Sequence, residues 1–210
     1  MSPALWLALF VGINLAVVVA LFLGSRAHFA RFRAFADALS EGEFRPGPGL
    51  GGSGIIGSSV KGRFEGRSVQ LDALAPPRGA GSWGSILLRF SVEGPRSQAP
   101  FSMTPAEFSD QVGRRLGLVT DVKVGDPRID QRFIVRGERA PLVDLFGRGL
   151  IQPVLEQIFG DEEEFAWLEV DEGWTSGVRK LSGEQLVRVE LLGTLALLGQ
   201  FVEQCESAGP

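Results

Sequence analysis

The sequence has no tyrosine, one histidine (His28), one cysteine (Cys205) and three lysines (Lys61, Lys123 and Lys180) in 210 residues. Each shortage removes a class of chemistry. With His28 near the N-terminus as the sole imidazole, no histidine-dependent triad forms within a domain that follows it. Zinc needs several His or Cys ligands at short spacing, and one of each cannot close such a site. Cys205 has no second thiol for an internal disulfide, and nothing near it in sequence would lower its pKa, so it reads as an apolar contact on a C-terminal helix. The net charge of −4 gives no broad basic footprint for nucleic acid.

Charge is also missing from Ser2 to Ser25, and Ala4 to Leu23 is apolar except for Gly12 and Asn14. A run of about 20 such residues matches a hydrocarbon core of about 30 Å. It predicts a transmembrane helix with Trp6, Phe10, Leu15, Val18 and Phe22 as anchoring side chains, Trp6 lying near one interface. The alternative is a cleaved signal, which wants a positive n-region and an apolar core of about 7–15 residues. Met-Ser-Pro supplies no positive residue and the run is longer. Arg26, Arg31 and Arg33 crowd the far flank, and the positive-inside rule then places the following domain in the cytoplasm. Phe29, Phe32 and Phe35 alternate with these arginines at helical spacing, predicting an amphipathic helix to about Leu39. Its rings lie either at the lipid headgroups or against the domain.

Three segments follow: an anchor and juxtamembrane helix over residues 1–40, a Gly/Pro linker over 41–57, and a domain over 58–206. Alternation of period two predicts strands at Val60 to Phe64, Ser68 to Leu71 and Ser85 to Val92, with Glu65-Gly66 as a tight turn. Gly62 marks a bulge or a close approach. Thr104-Pro-Ala-Glu107 has the form of a capping box and predicts a helix carrying Phe108, Val112 and Leu116. Leu118 to Val124 and Ile129 to Arg136 alternate again around a Gly125-Asp-Pro127 turn, with Gln131, Phe133 and Val135 on one face. Helices are predicted at Ala140 to Phe146 and Gln152 to Phe159. Phe165 to Val170 and Trp174 to Lys180 flank a turn at Asp171-Glu-Gly173. Ser182-Gly-Glu-Gln185 forms a second capping box ahead of a helix carrying Leu186, Val189, Leu192, Leu195, Leu198 and Val202 toward Cys205. The predicted fold is α+β: an N-terminal transmembrane helix plus one soluble domain, with an antiparallel sheet and helices packed on one face.

Gly62-Arg-Phe-Glu-Gly-Arg-Ser-Val69 and Gly125-Asp-Pro-Arg-Ile-Asp-Gln-Arg-Phe-Ile-Val-Arg-Gly137, the latter followed by Leu142, Leu145 and Leu150, are short motifs spread over Val60 to Phe159. On these the chain resembles a family of uncharacterised bacterial membrane-anchored proteins. The resemblance implies a membrane-tethered domain of unknown function and supplies no catalytic residues.

Other patterns are weighed on their context. Gly49-Leu-Gly-Gly-Ser-Gly54 has the spacing of a dinucleotide-binding turn, but it follows Pro-Gly and runs into Ile55-Ile56 rather than linking a strand to a helix, so it reads as linker. Ser58 and Lys61 have Ser-x-x-Lys spacing without the companion motifs, and at a strand start they point to opposite faces. Asp161-Glu-Glu-Glu164 lacks the alternating ligands and glycine of a calcium loop and reads as a solvated loop.

No catalytic, cofactor-binding or metal-ligating set emerges. The leading expectation is a non-enzymatic, membrane-tethered interaction or scaffold domain on a bacterial inner membrane. The bilayer would be one partner, with a protein partner or self-association through the C-terminal helix as another. One alternative is a carboxylate- or metal-dependent enzyme using Asp126, Asp130, Asp161 or Glu162. The other is a lipid-surface sensor using Arg26, Arg31, Arg33 and the interleaved phenylalanines, although its three basic residues fall short of the usual cluster of about 4–8.

Overall fold

The computed structural model describes residues 26–47, 56–74, 85–94, 99–106, 121–160, 165–182 and 186–207. Eight strands form one antiparallel sheet: β1 (Ser40–Arg45), β2 (Ser59–Phe64), β3 (Arg67–Leu74), β4 (Ser85–Glu93), β5 (Phe101–Pro105), β6 (Phe133–Gly137), β7 (Phe165–Asp171) and β8 (Trp174–Ser182). Their order is β1-β2-β3-β4-β8-β7-β5-β6. Five helices accompany them among the described residues: α1 over residues 26–36, α2 (Pro127–Arg132), α3 (Arg139–Gly147), α4 (Gln152–Ile158) and α5 (Arg188–Ser207).

Period-two alternation decides which side of the sheet is buried. Val69, Leu71 and Ala73 of β3 stand opposite Val92, Phe90 and Leu88 of β4, and Val92, Phe90 and Leu88 in turn face Thr175, Gly177 and Arg179 of β8. Leu168 and Val170 of β7 continue the face across to Met103 and Phe101 of β5. Every buried apolar residue of the described helices joins these side chains in a single cluster. Two features let the strands pack closely. Glu65-Gly66 and Glu172-Gly173 both take positive φ at their two central positions, the turn whose twist matches a two-residue hairpin. Gly177 leaves room for the Phe165 ring, which a β-carbon there would overlap.

This architecture corrects the expected fold. Among the described residues, no helix is long and apolar enough to cross a membrane. The run from Ala4 to Leu23, with Trp6, Phe10, Leu15, Val18 and Phe22, lies outside them. The described fold is an eight-stranded antiparallel sheet with five helices, and the expected transmembrane helix and single-pass membrane element are not among its elements. The stretch that follows that run is α1, where Phe32, Phe35 and Ala36, with Leu39 just beyond, are buried against the sheet. Of the two placements open for these rings, Phe32 and Phe35 take the one against the domain. Beside it, Ser40–Arg45 forms the strand β1, so the expected 41–57 linker begins as sheet.

Three further expectations change. Thr104 and Pro105 end strand β5, where Phe101 and Met103 are buried, rather than capping a helix; residues 107–120 lie outside the described residues. Asp126-Pro127 opens α2, with the Asp126 side chain accepting the Arg128 N–H at 2.8 Å and proline at the first helical position, so strand begins only at Phe133. Ser182 closes β8, and α5 begins at Arg188. In α5, Leu191, Leu195, Leu198, Phe201, Val202 and Cys205 are buried, whereas Val189 is 81% exposed. Leu195, Leu198 and Val202 of the predicted stripe thus belong to the core, the buried-helix reading of this apolar stretch.

Candidate functional site

The sheet face away from the core is polar and aromatic in a definite arrangement. Strand parity places Gln70 and Asp72 of β3, Arg89 and Ser91 of β4, Trp174 and Ser176 of β8, and Trp167 and Glu169 of β7 on it. These positions come from the central strands, so their backbones are held on both sides by the ladder. The Arg89 guanidinium of β4 lies 5.5 Å from the centroid of the Trp167 ring of β7, a cation–π contact that reaches over the intervening strand β8. Ser91 and Ser176 share a hydroxyl–hydroxyl hydrogen bond of 2.8 Å, and the Gln70 amide donates to both carboxylate oxygens of Asp72 at 2.9 and 2.8 Å.

At the β7–β8 end of this face, Glu169, Asp171, Glu172, Trp174 and Ser176 line an open hollow of about 190 Å³. Trp174 is 38% exposed, an unusual position for an indole in a structured strand. Partial burial holds the Glu169 carboxyl above its ordinary range; the neighbouring Asp171 charge adds to this and Arg89 opposes it. Such a face can stack against apolar or cationic groups and can accept hydrogen bonds from donors. The hydroxyls of Ser91 and Ser176 bond to each other.

The acids weighed as catalytic or metal-binding candidates hold the chain together. Asp130 accepts the N–H groups of Val124 and Gly125 at 2.9 and 3.2 Å, fixing the loop before α2. Asp126 caps α2 and takes a further bond from the Gln152 amide on α4. Asp121, not one of those candidates, likewise accepts a backbone donor, the Val135 N–H at 2.9 Å. Asp161 and Glu162 lie outside the described residues. Among the described residues, no three His, Cys, Asp or Glu side chains are placed to hold a metal ion. Ser58 accepts the Gly47 N–H at 2.9 Å while Lys61 points into solvent, which separates the Ser-x-x-Lys pair.

On α1, Arg26 and Arg33 are exposed, Arg31 is half-buried, Phe32 is buried, and the Phe29 and Phe32 rings pack within 5.9 and 6.1 Å of Phe44. His28 sits on the same helix, and its imidazole is held below the ordinary range by burial and, secondarily, by Arg31.

The sequence reading missed one buried polar group. Arg179 is 5% exposed on the core side of β8, donating to Thr194 Oγ1 at 2.7 Å and pairing with Glu190 at 2.8 Å, both on α5. An arginine on the apolar parity of a strand was the available signal, together with a threonine four residues after a glutamate on the following helix.

No protein-family model matches the chain, and no curated protein matches it. Among solved structures it is similar to the crystal structure of the mycobacterial trehalose monomycolate transport factor A, TtfA, with a TM-score of 0.50 and 11% identity. The match covers 88% of this chain and 97% of that one. At that identity the likeness concerns the fold alone.

Proposed function

We propose that this chain is a non-enzymatic interaction domain, an accessory factor for lipid transport that works by holding a partner protein against the sheet face opposite its described helices. The observation that carries the reading is that face itself. Trp174 stands exposed beside a partly desolvated Glu169, and the Arg89–Trp167 stack lies next to it on rigid central strands. Aromatic and arginine side chains held rigidly are the groups that dominate binding energy at protein interfaces. The extent of the likeness to a transport factor, which covers nearly the whole of both chains, supports the direction of the reading.

Site-specific photo-crosslinking tests it. A photoreactive amino acid at Ser176, on the proposed face, should give a discrete protein adduct in cells, lost when Trp174 is changed to Ala or Arg89 to Glu. The same group at Gln157, exposed on α4, should not. Equal adducts from both positions, or none from Ser176, would remove the proposal.

A further inference from the structure

The two edges of the sheet are treated differently. At β6 the outward hydrogen bonds of Val135 are taken up: its N–H reaches Asp121 Oδ1 at 2.9 Å and its carbonyl accepts the Val122 N–H at 2.8 Å. At the other end, β1 is the terminal strand among the described residues, and all of its side chains except Phe44 are exposed. An unpaired edge offers its outward N–H and C=O groups to another strand.

The sequence of β1 is complementary to itself. Glu43 and Arg45 flank Phe44 and form an exposed in-strand ion pair of 2.9 Å. In an antiparallel pairing of two copies centred on Phe44, Glu43 of each chain stands opposite Arg45 of the other, and each in-strand pair is exchanged for a cross-strand pair. The same two-fold brings Phe44 against its symmetry mate. Phe44 and its ring neighbour Phe29 are only half-buried at this edge, so the contact covers apolar surface that the single chain leaves in water.

The length of the pairing is bounded on both sides. The ladder between β1 and β2 is irregular between Ser40 and Glu43, where Glu41 takes a φ of 57°, and Pro46 has no N–H to donate. Slipped registers would set like charges opposite one another or run into the bulge. With β6 already closed, the association is isologous and stops at two copies.

We infer that two copies of this chain pair through β1, antiparallel and centred on Phe44, to form a continuous sixteen-stranded sheet. The contact is short, and the dimer is correspondingly weak and concentration-dependent. It does not depend on the partner-binding reading, since it uses the opposite end of the sheet from β7.

Sedimentation velocity of the full chain over a concentration series tests the inference with four proteins: wild type, Glu43→Arg, Arg45→Glu and the double exchange. Both positions are solvent-exposed, and circular dichroism checks that each variant folds. Either single reversal sets like charges opposite each other twice per dimer and should weaken association by about tenfold. The double exchange restores both cross-strand pairs and should return the dissociation constant to within about twofold of wild type. A wild-type chain that stays monomeric throughout the series would overturn the inference, as would four proteins with the same dissociation constant or a double exchange that behaves like the single reversals.

Discussion

Removing the half-exposed member of the Arg179–Glu190 pair should cost more stability than removing the buried one. Arg179 is almost wholly enclosed, whereas the Glu190 side chain keeps 37% of its exposure. In Glu190→Ala, the guanidinium stays in the core without its carboxylate, and loss of one partner of a buried pair costs about 3 kcal/mol. Removal of a negative charge from the first turn of α5 adds a few tenths, about 0.3 kcal/mol. In Arg179→Met the aliphatic stem is kept, Glu190 turns to water, and the Thr194 hydroxyl still donates to the Glu190 carbonyl at 3.0 Å. That variant should lie within about 1 kcal/mol of wild type. Urea unfolding followed in parallel by tryptophan fluorescence and circular dichroism measures both changes and checks that the transition is two-state. An Arg179→Met variant as unstable as Glu190→Ala would refute the reasoning, because it would mean that the pair contributes net stability rather than a compensated cost.

Gly177→Ala should destabilise the domain by about 1–3 kcal/mol, since the new methyl meets the buried Phe165 ring; a smaller alteration in urea midpoint would show that the ring can move aside. Asp130→Ala removes the acceptor for two backbone N–H groups and should cost about 1–2 kcal/mol, with faster amide exchange at Val124 and Gly125 as the local readout. Glu169 has a folded-state pKa above its unfolded value near 4.5, so the folded state takes up its proton first as pH falls. Its contribution therefore grows more favourable from the raised folded pKa down to the unfolded value, and is least favourable above both. Glu169→Gln should accordingly be more stable than wild type at neutral pH, with the difference disappearing as pH drops through that window; a gain that persists at pH 4 would contradict the assignment.

The parts of the fold legible in the sequence were those where one period or one turn type acts alone. The β7–β8 hairpin follows from alternation on either side of Glu172-Gly173, and α3 and α4 follow from apolar spacing with proline confined to a first turn. Failures came where two local signals compete. Thr104-Pro105 has the form of a cap, yet it ends strand β5, where Phe101 and Met103 are buried and paired with β6 and β7, while the helix expected through Phe108, Val112 and Leu116 lies outside the described residues. Asp126-Pro127 was read as a turn because Gln131, Phe133 and Val135 happen to alternate, although the cap and the proline announce a helix. The Phe29-Phe32-Phe35 stripe fits a lipid surface and a protein core equally well by spacing, and only the β1–β2 edge beside it reveals which one it meets. The open face was illegible for another reason: Arg89 and Trp167 lie far apart in sequence and become neighbours only through the order of strands.

The join between β4 and β8 sets a schedule for biosynthesis. Ser91 and Ser176, hydrogen-bonded across that join, are separated by 85 positions. The hairpins from β1 to β4 can form soon after Glu93 leaves the ribosome, but β4 then waits for β8 on the order of ten seconds at ordinary translation speeds. Throughout that interval the nascent chain presents Leu88, Phe90 and Val92 on a strand paired only on its β3 side. This is the stage at which a ribosome-associated chaperone would have the most to protect, and at which a slow codon placed after Glu93 would do the most harm.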